Sequence, residues 1–169
     1  MDRRLELISE LTPAVWIHLG AAVFAALLGA LILWRRKGDA LHRWTGRLWV
    51  ILIAVASISS FWILEIIPGR FSPIHLLSVY TLVNLVISVV AIRNRHRWRR
   101  GLAIHRATMV QIYAAGILIA GGFTFMPYRF LGRMTFGEWI PALNFAIVAV
   151  LAGGGIYLMW RSRGMGRSG

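Results

Sequence analysis

Five long apolar stretches divided by short, arginine-rich links leave this chain almost nowhere to put a water-facing fold. The stretches cover about residues 13–34, 42–67, 73–92, 101–125 and 139–160. Each is long enough, as a helix rising about 1.5 Å per residue, to cross a hydrocarbon core of about 30 Å. None has the alternation of a barrel strand. With 58% of its residues hydrophobic and a mean hydropathy of +0.67, the chain of 169 residues carries more apolar surface than an ordinary soluble domain can hide. The expected fold is all-α: one integral membrane bundle of five transmembrane helices spanning 1–169.

The boundaries carry their own signals. Pro13 suits a first helical turn, and Arg35, Arg36 and Lys37 stop the first apolar run, which is too long and wrongly flanked for a cleaved signal peptide. Asp39 is placed to cap the second helix, which carries His42 and Arg47 in its first turns and is expected to run to Ile67 before Pro68-Gly69. The third starts near Ser72-Pro73 and the fourth near Gly101.

The net charge of +13 would suggest nucleic acid in a soluble protein, but these arginines gather between apolar spans, so the expected partner is a bilayer with anionic headgroups and not nucleic acid. Arg35, Arg36, Lys37, Arg43 and Arg47 follow the first span. Arg93, Arg95, Arg97, Arg99, Arg100 and Arg106 follow the third, and Arg161, Arg163 and Arg167 the fifth. The opposite side holds Arg70, Arg129, Arg133, Arg3 and Arg4, the last two diluted by Asp2, Glu6 and Glu10. Positive-inside bias then puts the N-terminus outside and the C-terminus in the cytoplasm, in a multi-pass protein of the bacterial inner membrane. The eight tryptophans read as interfacial belts. Without cysteine the chain has no disulfide, no thiolate-bound cluster and no haem attached through thioethers.

The residues with chemistry are histidines sorted by depth. His18 and His75 sit near the outer ends of the first and third spans, His42 and His105 near the inner ends of the second and fourth. His96, among arginines in a link, reads as a surface residue. Two facing imidazoles can bind a haem iron axially, and bundles hold cofactors on side chains that project inward. Ala21, Ala25 and Gly29 form a small-residue stripe on the His18 face, Gly46 lies one turn from His42, and Gly116 three turns from His105, which offers room to a macrocycle. Such stripes are equally the ordinary device for packing transmembrane helices. Thr81, Asn84, Gln111, Tyr113 and Asn144 read as interhelical hydrogen-bonders, with Glu65 and Glu138 near the outer boundary. No carboxylate falls mid-membrane, which argues against a proton-coupled transporter, and Gly153-Gly154-Gly155 inside a span is packing or a kink.

The combination of His18-Leu19-Gly20, the stretch His42-Arg43-Trp44-Thr45-Gly46-Arg47, Ser72-Pro73-Ile74-His75 and His105-Arg106 with Met109 resembles a bacterial family of predicted membrane proteins catalogued as a domain of unknown function, over about residues 13–130. The histidine pattern is also similar to that of the two-haem b-type cytochromes that carry electrons across membranes from ascorbate. That resemblance implies an outer haem on His18 with His75 and an inner one on His42 with His105. The chain departs from it in having five spans where those cytochromes usually have six, and in lacking a matching substrate motif.

The expectation is therefore a b-type haem protein for transmembrane electron transfer, served by quinol or a redox partner, and including the homodimer among its assemblies. Arg43, Arg47 and Arg106 are the candidate partners of inner haem propionates, and Arg70 and Arg129 of outer ones. The alternative is a small transporter or accessory subunit without cofactor. A non-haem metal site is a third reading, weakened because two imidazoles per site are few without a carboxylate.

Overall fold

The computed structural model describes residues 12–63, 73–126 and 141–165. Five helices in it are long and apolar enough to span a membrane, and there is no strand among the described residues. Helix α1 is Pro13–Trp34, with proline in its first turn, and it ends where Arg35 turns extended while its N–H still reaches Leu31 O. Gly38, at φ 99°, makes the reversal that a side chain would strain. Asp39 then caps α2, Ala40–Ser59, by accepting the His42 N–H at 2.7 Å, and it pairs with Arg35 at 2.6 Å. Helices α3, Pro73–Arg93, and α5, Pro141–Met165, are continuous. Helix α4 spans Gly101–Thr124 and widens to a π-helix over Tyr113–Ile119.

Helix α2 stops sooner than its apolar pattern suggests. It tightens to a 3-10 turn over Ser60–Trp62, and Ile63 leaves the helical region at φ −94° and ψ 84°. The cause is local: Ser59 Oγ donates to Ala56 O at 3.1 Å and Ser60 Oγ to Ser57 O at 2.7 Å. Serine side chains that bond their own backbone compete with the helix ladder. Residues 64–67, together with Pro68, Arg70, Arg129, Arg133, Glu138 and Trp139, lie outside the described residues.

The first four helices pack in chain order, α1 on α2, α2 on α3, α3 on α4, and α4 back on α1 through its π segment. Helix α5 lies along α4, and only 11% of its span is buried against 33% for α4, which puts it at the edge of the bundle. Gly155 allows its closest approach, because a Cβ there would lie 2.9 Å from Ala114 O.

The core joins Ala25, Trp49, Ile53, Leu85, Ile112 and Tyr113. Trp49 corrects the reading of the tryptophans as interfacial belts. It is buried at 4% exposure and donates from Nε1 to Ala25 O at 2.9 Å, whereas Trp16, Trp34, Trp44, Trp62, Trp98 and Trp160 are exposed. Tyr113 OH donates to the next carbonyl of α1, Ala26 O, at 3.3 Å, so two aromatic donors tie α1 to α2 and α4 near mid-membrane. Tyr80 OH reaches Gln111 Oε1 at 3.3 Å between α3 and α4. Asn84 bonds Tyr80 O within its own helix instead of crossing to another.

Candidate functional site

His18, in the second turn of α1, lies with Nδ1 2.8 Å from Ala56 O of α2. A carbonyl only accepts, so Nδ1 carries the ring proton and donates it, and a neutral ring then keeps its lone pair on Nε2. Ser59 Oγ stands 3.5 Å from the same Nδ1 and donates to the same carbonyl. The adjacent Ser60 spends its proton on Ser57 O, so Ser78 of α3 donates to Ser60 Oγ at 2.7 Å and ties α3 to this end of α2. His75, in the first turn of α3, is 3% exposed and stacks on Phe61, with ring centroids 5.8 Å apart and planes at 27°. His18 and His75 are thus both seated between Ala56 and Phe61, on the end of α2 and the 3-10 turn that follows it.

The other end is built differently. His105, in the second turn of α4, has Nδ1 2.9 Å from Oγ and 3.3 Å from the carbonyl oxygen of fully buried Ser88 of α3; because the carbonyl only accepts, the ring proton is assigned to Nδ1. Ser88 Oγ in turn donates to His105 O at 3.3 Å. His42 lies in the first turn of α2, close enough to His105 for charge on one to act on the other, with Arg106 adding to the field. Its Nδ1 is buried and has no hydrogen-bond partner.

Asp39, the one carboxylate among the described residues, stands just outside α2. The His42 N–H that it accepts, and then Arg35, hold its pKa below the usual aspartate value. Arg43, Arg47 and Arg106 have no carboxylate partner among the described residues. Arg43 donates to Gly38 O at 2.9 Å, Arg47 lies 5.0 Å over the Trp44 ring, and Arg106 is exposed.

Along α2, His42 and Ala56 are about four turns apart, roughly 20 Å of helix, so two histidine levels are separated by a packed middle. That middle corrects the expectation that the small-residue stripe of α1 leaves room for a macrocycle. Ala21, Ala25 and Gly29 are buried, and a Cβ at Gly29 would lie 2.6 Å from both Trp49 Nε1 and Tyr113 Cδ2. The stripe is the notch into which those two side chains fit. Gly116 likewise sits against Thr81, with 3.3 Å from its virtual Cβ to Oγ1. Gly46, one turn beyond His42, has open space around it.

Among the described residues no three His, Asp or Glu side chains gather as a metal site. Two imidazoles can complete the coordination of an iron whose other ligands come from a porphyrin, so the donor set at each level fits haem better than a bare ion. The orienting bonds fit as well, since ligand histidines commonly donate their second ring N–H to a backbone carbonyl. Ser88, Ser59 and the Ala56 carbonyl were not evident from the sequence, where serines in apolar spans resemble packing residues.

Residues 15–152, which include His18, His42, His75 and His105, match the family model described as Predicted membrane protein (DUF2306), and the chain belongs to that family. No curated protein and no solved structure matches it.

Proposed function

We propose that this member of the DUF2306 predicted membrane proteins holds b-type haem at its two histidine levels and passes electrons across a bacterial inner membrane. The observation that supports this most is the fixing of His18 and His105, on different helices and at opposite ends, each with Nδ1–H given to a neighbouring helix. Both rings are left with Nε2 as the available lone pair. A bare packing role needs only one polar contact per histidine and does not require the same tautomer at both ends.

His75 is the proposed partner of His18, and His42 that of His105. Haem would supply the one-electron iron couple. The chain's own residues hold the imidazoles in orientation, keep water from the middle of the bundle through Trp49 and Tyr113, and set ligand basicity through Ser88 and Ala56. Arg43, Arg47 and Arg106 have no carboxylate partner among the described residues and so are suited to propionates near the inner pair. We place the α1–α2 and α3–α4 turns on the cytoplasmic side by their charge, with quinol or a periplasmic reductant as donor and a redox partner as acceptor. A homodimer is compatible with this arrangement.

The test is a dithionite-reduced minus oxidised absorption spectrum of the detergent-purified chain from haem-replete cells, with haem content per chain. A sharp reduced b-type band with about two haems per chain supports the reading. A colourless, well-folded protein overturns it. The filled stripe on α1 favours the second reading in that case: an accessory subunit or small transporter in which histidines only tie helices together.

A further inference from the structure

From the charge inventory and the α3–α4 turn, we propose that the turn end of the bundle carries a discrete site for an anionic phospholipid headgroup, centred on the arginines between α3 and α4. The chain folds this turn tightly. Asn94 O accepts the N–H groups of Arg97 and Trp98 at 2.9 Å each, and Asn94 Nδ2 returns to Val90 O at 3.0 Å. Gly101 brings the start of α4 so close to the end of α3 that a Cβ there would lie 2.7 Å from Ala91 O and 2.9 Å from the Arg95 Cα. An ordered backbone therefore presents Arg93, Arg95, Arg97, Arg99 and Arg100 within a single reversal, and all five are exposed. A loose tail of equal charge would leave its backbone free, whereas this turn fixes the attachment points of five cations within one short reversal.

Nothing in the described chain offsets the mutual repulsion of these cations. Asp39 is the one carboxylate there, and it is engaged by Arg35 and by the α2 cap. Helix α4 adds the positive end of its dipole at the same place, with no side-chain cap and no acid in its first turn. Exposed Trp98 sits within the turn, where an amphipathic ring marks the headgroup level. Guanidinium groups bind phosphate oxygens in pairs, so a phosphodiester headgroup is the chemistry that the array fits, and lipids with two phosphates fit it best. The site lies one turn from His105 but does not depend on haem.

The experiment is native mass spectrometry of the full chain released from nanodiscs that contain phosphatidylglycerol, cardiolipin or phosphatidylcholine, with circular dichroism as the check on folding. The site predicts retained phosphatidylglycerol and, more strongly, cardiolipin, with phosphatidylcholine lost. Arg95→Gln/Arg97→Gln/Arg99→Gln is expected to bind cardiolipin about a hundredfold more weakly, at roughly 1 kcal/mol per arginine near a membrane surface. Arg161→Gln/Arg163→Gln/Arg167→Gln, which removes the same charge from the C-terminal stretch of the sequence, is expected to leave retention unchanged. Equal loss in the two triple variants would overturn the site in favour of diffuse attraction to the bilayer. Displacement of cardiolipin by millimolar inorganic phosphate would overturn it in favour of a free-phosphate site.

Discussion

The two ends of the bundle fix a histidine by the same bond and surround it with opposite chemistry. At one end His18 gives its proton to Ala56 O amid the serines of α2, and His75 stacks on Phe61. At the other, Ser88 holds His105 from the neighbouring helix of the same hairpin, beneath a dense set of guanidinium groups. The difference teaches that ring orientation is set by short-range contacts inside the bundle, whereas the charge near His105 comes from the arginines around the α3–α4 turn. In the proposed cytochrome the two levels would then share a ligand geometry and differ in potential, with the arginine-rich end the easier to reduce.

The largest effect expected is all-or-none. His18→Ala and His105→Ala should each remove about half of the bound haem, and the bands that they remove should titrate at different midpoints. Loss of all haem from either variant would break the division into two levels. Next comes the middle that separates them: Trp49→Ala removes the side chain that fills the Gly29 notch and should cost about 3–5 kcal/mol of stability, as large-to-small changes in packed interiors do. Thermal unfolding in detergent would show it, and an unchanged transition would mean that the notch is not a packing contact.

Ser88→Ala should keep the haem and raise the midpoint of the His105 band, because weaker donation from Nδ1–H makes the imidazole a less basic ligand. Ser59→Ala should shift the His18 band less, since its contact with Nδ1 is 3.5 Å against 2.9 Å for Ser88. Equal shifts in a redox titration would remove the contrast between the ends. The smallest effect concerns Asp39. Its pKa is depressed by the His42 N–H and then by Arg35, so its contribution to stability is full above the unfolded value of about 3.9. That contribution is lost as pH falls from there through the lower folded value. Asp39→Ala should therefore flatten the acid limb of the melting-temperature profile slightly and leave the neutral part parallel to the parent.

Much of this was legible in the sequence because a bilayer imposes one scale on every span. The five helices, the cap at Asp39 and the sorting of four histidines to two ends follow from apolar length and a few punctuating residues. What could not be read depends on pairings between helices. Trp49 reads as an interfacial ring by residue type alone, and its position in α2 says nothing about Ala25 and Gly29 across the gap. Ser88 is separated from His105 by the whole α3–α4 turn, and only the depth at which the two helices cross makes it a partner. The early end of α2 came from serines bonding their own backbone, a local preference that hydropathy does not register.

The peripheral place of α5 has a consequence for biogenesis. The four proposed ligand histidines, and the contacts that orient them, precede Phe125, so the part of the chain that carries the proposed chemistry is already synthesised while α5 is still to come. At roughly 5–20 residues per second a ribosome would take a few seconds more to deliver the last span. For the proposed cytochrome, that interval leaves open to haem the side of α4 that α5 later covers.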